Sequence, residues 1–549
     1  MMRLATRTAR RAGRCSVGMV ESPRVAAGPR SGAAHGRPRL RGVAHDVPSA
    51  GYATAHGRDS SGSAVRQRPR RTTPYGMHVM RIPGTTTYRR AAFGLAAFGV
   101  VALHAAAPRT LAGQEPAAYA FVGVNVVPMD GERVLEDQTV VVRGPRIAAV
   151  GPRASTPVPD DARTIDGRGR WLMPGLAEMH AHVPPVPRGS DAWPDREALD
   201  DILFLYLANG ITTIRGMLGA TYQLELRDLI ERGEVLGPTF YVGAPSINGS
   251  SAPDPETADS LVRAHAAAGY DLQKIHPGVS LETWDRMART AHEVGLTFGG
   301  HVPQAVGLRH AVETGMSTVD HIDGVIQVVT SAPAGAPPAE VFSSIDEERL
   351  REVADLLVAH DVYVVPTEYL WENIFGVFDP EEMARLPEMR YVSPGQREAW
   401  IRQKQRQPPQ TPEAAAAVAR ARRHFIDVFE ERGVKLLMGT DSPQMFNVPG
   451  FALHREIRVM REAGLTPYEV LVSGTVNVAS YVRDHLKKDG RFGTVAAGQR
   501  ADLVLLDGNP LESLDHLAER EGVMVRGRWL DGEAIRARLE RIAAKHATP

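Results

Sequence analysis

Residues 172–183 read LMPGLAEMHAHV: a short apolar run, a Pro-Gly pair, then His180 and His182 with one alanine between them. Alternate residues of a strand face the same side, so both imidazoles would point at one place. Further along, four more short apolar runs end in residues that could join them: Lys274 in YDLQKIHP, His301 in LTFGGHVP, His321 in STVDHID and Asp441 in VKLLMGTDS. Four imidazoles and a carboxylate converging on one rim make a site for a hard-to-borderline divalent metal. A lone histidine is more often a surface or satisfied core residue, and His104, His265, His292 and His310 are read that way. The other four are read as ligands because they recur, in order, at equivalent strand ends.

Something must hold those ends together. The middle of the chain has eight strand-like runs: the five above, plus GITTIRGM, PTFYVGA and DVYVVPTE, with helix-length stretches between them. That alternation predicts an α/β fold, a (β/α)8 TIM barrel over 172–490, whose catalytic groups lie at the C-terminal strand ends. The stretch 280–295 reads as a helix with Ser280 as its cap and Gly295 as its stop. Residues 368–420 are longer than an ordinary connection and carry aromatic and Pro-rich pieces, so they are read as a lid or substrate-shaping insertion. Residues 114–171 and 491–549 share a texture of alternating valine and isoleucine broken by Asp-Gly and Gly-Pro turns. They predict a small β-sandwich domain built from both chain ends.

Composition narrows the class. The chain has 549 residues, 43% hydrophobic and 23% charged, with no net charge. That balance hides an asymmetry: residues 1–90 hold 18 arginines, no lysine and three acids, so they carry +15 and the remainder −15. An acidic body argues against a nucleic-acid partner. The single cysteine, Cys15, lies in the basic head, which excludes a disulfide framework, cysteine-ligated zinc and a catalytic thiol in the body. Residues 1–76 lack periodicity and are read as disordered, or as translated sequence upstream of a start at Met77 or Met80. In 77–113, Arg89 and Arg90 precede an apolar run over 91–107 and then small residues, the layout of a signal peptide. The expected mature protein is periplasmic or secreted, without a stable membrane span; assembly into homo-oligomers stays open.

With these segments in order, the chain resembles the amidohydrolase superfamily, in its secreted imidazolonepropionase-like and prolidase-like branch. The resemblance runs over about 118–540. It rests on the His-x-His after LMPGL, on DLQKIH, FGGHVP, VDHID and LLMGTDS, and on the tail LHREIRVMREAGLTPYEVLVSGTVNVASYV and FGTVAAGQRADLVLLDGNPL. It implies two divalent metals, zinc by preference, and a carbamate on Lys274 derived from CO2. One metal would take His180, His182, Asp441 and a carbamate oxygen; the other would take His301, His321 and the second oxygen. A bridging hydroxide would attack the scissile carbonyl, and Asp441 would carry its proton to the leaving nitrogen. An unmodified Lys274 with one metal is the alternative.

Two segments depart from the common family pattern: Arg215-Gly216 stands for Arg-Asp after the second strand, and Lys274-Ile275-His276 for Lys-x-Tyr. Both are read as changes at the substrate end of the pocket. His276, Tyr369 and His454 are candidate substrate contacts, with Trp371 as a possible cover. The expected reaction is hydrolysis of an amide in a dipeptide, Xaa-Pro-like, or in an N-acyl amino acid. The alternatives are a cyclic-amide or lactam hydrolase of imidazolonepropionase type, and an inactive binding protein of the same fold.

Overall fold

The computed structural model describes residues 118–183 and 193–547. The upstream segment 1–76 and the signal peptide expected over 77–113 lie outside the described residues. Five strands open the described chain: β1 (Ala118–Val126), β2 (Leu135–Arg143), β3 (Arg146–Pro152), β4 (Ala162–Asp166) and β5 (Trp171–Pro174). Near the other end lie β13 (Leu503–Leu506), β14 (Arg520–Val525) and β15 (Arg528–Asp531). These eight form one mixed sheet in the order β15-β14-β13-β5-β1-β2-β3, with β4 on β1. Phe121, Val140, Leu172, Leu503 and Met524 are buried in its own core, where Phe121 meets Trp529 edge-on at 5.3 Å. The two chain ends thus build a single sandwich-like unit.

Gly175 is where the chain leaves this sheet. Upstream of it β5 pairs antiparallel with β13; downstream, β6 (Leu176–Ala181) pairs parallel with β7 (Ile211–Gly216). A Cβ on Gly175 would meet Thr212 Oγ1 at 2.2 Å, so only glycine allows the two strands this close. The Pro-Gly of LMPGL is therefore the joint that swings His180 and His182 into the barrel.

The barrel continues through β8 (Thr239–Val242), β9 (Gln273–Ile275), β10 (Phe298–Gly300), β11 (Thr318–Asp320) and β12 (Tyr363–Val365). Pairing is parallel within β6-β7-β8 and within β9-β10-β11-β12. Single bridges complete the ring. Gly243 pairs with Leu272, Val364 with Leu436, and Ala181 with Ser442. Residues 435–442 are the eighth stave: Val364 N donates to Lys435 O, Met179 N to Met438 O and Asp441 N to His180 O. The short central strands are buried throughout, as expected of parallel strands covered by helices. Helix Leu281–Val294 begins at Ser280, whose side chain accepts from Thr283 N, and stops at Gly295 in the left-handed region.

Between β12 and the eighth stave the chain makes helices Glu368–Phe375, Pro380–Met383, Pro394–Gln405 and Pro412–Arg432. Among the described residues no helix is long and apolar enough to cross a membrane.

Candidate metal centre

The six residues picked out as ligands come together at the C-terminal ends of the barrel staves. His180 lies within β6 and His182 just after it; Lys274 is the middle of β9; His301 and His321 follow β10 and β11; Asp441 ends the eighth stave. All but His182 are buried. Ring centroids of His180 and His182 are 5.5 Å apart, His180 and His321 4.6 Å, and His301 and His321 4.4 Å. Asp441 Oδ1 lies 2.5 Å from His182 Nε2 and 3.6 Å from His180 Nε2; its Oδ2 lies 3.8 Å from His321 Nε2. Lys274 Nζ is 3.3 Å from His180 Nε2. One ligand atom each from His180, His182 and Asp441 fall within 4.8 Å of one another, a ready triad for one metal ion.

The backbone and its partners aim these groups. Glu178, fully buried, accepts from His180 N at 2.9 Å, Thr440 N at 2.8 Å and Thr440 Oγ1 at 2.6 Å. It thereby fastens the first stave to the eighth and keeps His180 in register with Asp441; burial pushes its carboxyl up to about 7. His321 and Asp441 both sit at positive φ, 63° and 62°, uncommon for such residues and frequent at functional sites. The Thr367 hydroxyl donates to Pro366 O at 2.7 Å, so it accepts from His321 Nδ1 at 2.7 Å. His321 is thus protonated on Nδ1, which leaves a lone pair on Nε2. That nitrogen is buried and has no hydrogen-bond partner. A buried polar atom left open toward a carboxylate is costly unless something binds it, and a metal ion fits the requirement. His301 is held likewise, its Nδ1 2.7 Å from Asp323 Oδ2.

The electrostatics agree with ligation, which needs neutral imidazole and ionised carboxylate. Burial, and then Lys274, hold the His180 imidazole well below its ordinary range; burial, and then His301, do the same for His321. Burial alone would raise Asp441, but the imidazoles of His180 and His182 beside it hold the carboxyl below the usual range. Burial lowers the Lys274 ammonium, against the pull of Asp320 and Asp441.

The candidate substrate contacts separate. His276 joins the cluster: its ring stacks obliquely on His301 at 5.0 Å, Nδ1 is buried without a partner, and burial followed by Lys274 pushes the imidazole down to about 2. Tyr369 is buried in the insertion, with its amide donating to Glu456 Oε2 at 2.7 Å, and it lines a cavity of about 720 Å³ rather than touching the ligands. Trp371 lines the same cavity and lies 6.5 Å from His321, ring to ring. His454 sits elsewhere. Its Nε2 is 3.2 Å from Asn209 Oδ1 and 3.2 Å from Arg520, against the chain-end sheet. Its neighbours make it a packing residue there, near the start of the helix Phe451–Glu462.

Arg215, expected at the substrate end, instead turns into the barrel beneath the centre. It is fully buried; Nε donates to Met179 O at 2.7 Å, Nη1 to Tyr481 Oη at 3.1 Å and Nη2 to Asp320 Oδ1 at 3.3 Å. Asp320, Asp323, Thr367 and Glu178 were not singled out from sequence. The two aspartates flank His321 in VDHID, and that spacing was the available signal.

Comparison with known proteins identifies the family. The amidohydrolase family model matches residues 171–530. Imidazolonepropionase of Pseudomonas aeruginosa (strain UCBPP-PA14) is 23% identical over 409 residues, 68% of this chain and 88% of that protein. Among solved structures, bottromycin amidohydrolase superposes with a TM-score of 0.60 at 24% identity, covering 79% of this chain and 91% of that one. A Xaa-Pro dipeptidase with bound methionine gives 0.54 at 20% identity, covering 76% and 100%. The family match spans the barrel and the staves that carry the metal-ready triad, so the chain belongs to the amidohydrolase family and is a metal-dependent hydrolase of carbon–nitrogen bonds.

Proposed function

We propose that this protein hydrolyses the amide bond of a dipeptide of Xaa-Pro type, or of an N-acyl amino acid, at a centre of two zinc ions bridged by a carboxylated Lys274. The observation that carries the two-ion reading is the division of ligands about Asp441. Oδ1 faces His182 at 2.5 Å and His180 at 3.6 Å, while Oδ2 faces His321 at 3.8 Å. His301 packs on His321, and Lys274 stands beside His180. Ions held there would lower the pKa of a water and polarise the scissile carbonyl. Asp441, kept ionised by its imidazole neighbours, accepts the proton of the attacking water and passes it to the leaving nitrogen. His276, neutral and with Nδ1 open, is placed to hydrogen-bond a substrate group beside His301.

Trp371, 6.5 Å from His321 ring to ring, is the part of the insertion placed to bound a substrate at the centre. The Arg89-Arg90 and apolar-run layout supports export to the periplasm or beyond the cell.

The test is a rate screen of metal-loaded protein, lacking residues 1–112, against dipeptides, N-acyl amino acids and lactams. Turnover of the first two classes is expected. Turnover of lactams alone would replace this reading with the cyclic-amide one.

A further inference from the structure

We propose that Asp320 is the positioning residue of the metal centre: its carboxylate orients His180 through Nδ1, so that Nε2 of that ring faces the ion, and Arg215 holds the carboxylate in place. The proposal rests on the metal-centre reading.

Asp320 closes β11 and has no exposed surface. A carboxylate taken fully out of water is costly unless it is paired, so packing alone gives no reason to put one here. Its partners do. Oδ2 lies 3.0 Å from His180 Nδ1 and 3.8 Å from Lys274 Nζ, and Oδ1 accepts from Arg215 Nη2 at 3.3 Å. His180 Nδ1 is buried and has no other partner; its approach to Asp320 is at ion-pair distance but off the line of a good N–H bond. The other nitrogen of the ring, Nε2, is the one that looks toward Asp441 and Lys274.

The neighbouring ligands are gripped in the same manner. Asp323 holds His301 at Nδ1, and Thr367 holds His321 at Nδ1. One stretch, 320–323, therefore presents the ligand His321 and supplies the orienting carboxylates of two others. Arg215 is itself pinned, with Nε on Met179 O and Nη1 on Thr318 Oγ1 and Tyr481 Oη. It ties the second stave to the first and sixth, so Asp320 cannot swing toward Lys274 without breaking that lattice. A carboxylate behind a metal-bound imidazole fixes its tautomer and raises its basicity, and losing one costs about 10- to 100-fold in metal affinity.

The experiment uses metal-free full-length protein and measures zinc affinity by competition with a chromophoric chelator. Asp320→Asn keeps the shape and an acceptor oxygen but removes the charge. Its affinity is expected to fall about 10- to 100-fold with the melting temperature near that of the wild type. Ser280→Ala removes the cap of the helix Leu281–Val294, outside that lattice, and should leave affinity unchanged. Asp320→Asn binding within about twofold of wild type would overturn the proposal, and so would an equal loss in Ser280→Ala. If Asp320→Asn does not fold, the wild type decides alone. In the zinc-loaded protein labelled with 15N-histidine, and assigned against His180→Gln, the His180 proton is expected on Nδ1; finding it on Nε2 would overturn the assignment. A wild type that binds no divalent ion removes the centre itself, and the proposal with it.

Discussion

In the proposed two-ion reading, Lys274 supplies the bridge between the ions. As an ammonium it is a poor ligand, but it is buried beside His180, and burial lowers the cost of losing its proton. If its carbamate bridges two ions, Lys274→Ala loses the bridge and one ion per chain, with most of the rate. A short carboxylic acid in the buffer should then enter the space and restore part of the activity, whereas Lys274→Arg should not be rescued, because its guanidinium fills the space and stays cationic. Metal content and rate, with and without the acid, check this; two ions and full activity in Lys274→Ala would remove the bridge. Separately, His301→Ala or His321→Ala should abolish turnover while the far-ultraviolet spectrum stays native, since the barrel is held by its strand layers. Near-normal turnover with metal bound in either variant would undo the assignment. The triad His180, His182 and Asp441 was legible because ligand-type residues fall at the ends of the first and eighth staves. Their orienting partners were not, since whether Asp320 meets His180 depends on the crossing of two staves 140 residues apart in sequence. His454 follows the eighth stave in sequence, which suggests the rim, but its ring packs on Asn209 and Arg520 instead.

At the scale of elements, the insertion is wired to the centre by buried charge. Arg422, on helix Pro412–Arg432, donates to His321 O at 2.9 Å and to Glu368 Oε2 at 2.8 Å, and its guanidinium lies 4.4 Å from the Trp371 ring. Glu456 accepts from the amides of Glu368 and Tyr369 and so caps the helix Glu368–Phe375. Burial raises Glu368 to about 7 despite the nearby Arg422. Between its unfolded range near 4.5 and about 7, the folded protein keeps a proton that the unfolded chain has released. Stability from this group is therefore lost as pH rises through that window and levels off above it. Glu368→Gln removes this share, so its stability relative to wild type should rise by on the order of 2 kcal/mol between pH 5 and pH 8. Calorimetric melting of both proteins across that range checks it, and parallel pH curves would refute it. The insertion's Pro-rich pieces prove to be helix starts: Pro380, Pro394 and Pro412 each follow a capping Asp379, Ser393 or Thr411. That pairing was readable, as the caps of Leu281–Val294 were. The eighth stave was read as a strand from its apolar run, yet it joins the ring by isolated bridges and carries no regular strand of its own.

Among the described residues, the first five strands and the last three close into one sheet. β1 pairs with β2 on one side and with β4 and β5 on the other, so it is the link between the N-terminal strands and the strands contributed by the C-terminal end. This sheet also anchors β5, and hence the Gly175 joint that delivers β6 and both of its histidines to the barrel. The two-ended unit was legible because alternating valine and isoleucine recur at both ends; its strand order was not, since pairing partners lie more than 300 residues apart. The arrangement sets a limit on processing. Cleavage after about Ala112, where the apolar run over 91–107 gives way to small residues, leaves β1 whole, with Ala118 already buried at its start. We expect the exported protein to begin there, and N-terminal sequencing of it checks this; residues 20–70 retained in the mature chain would sink the export reading. The same logic fixes a pair of truncations. A chain beginning at Gly113 should match the melting temperature and metal content of the longest soluble form. One beginning at Pro128 lacks β1, so β2 loses the strand that joins it to β5, leaving the hairpin only the bonds of 145–147 to 498–501, and the buried faces of Leu172 and Leu503 lose Phe121. It should be insoluble or molten, and should hold less metal although every ligand is still present, because His180 and His182 are aimed by a strand whose anchor is gone. A Pro128 start with native melting and full metal content would show that the barrel aims its first stave unaided.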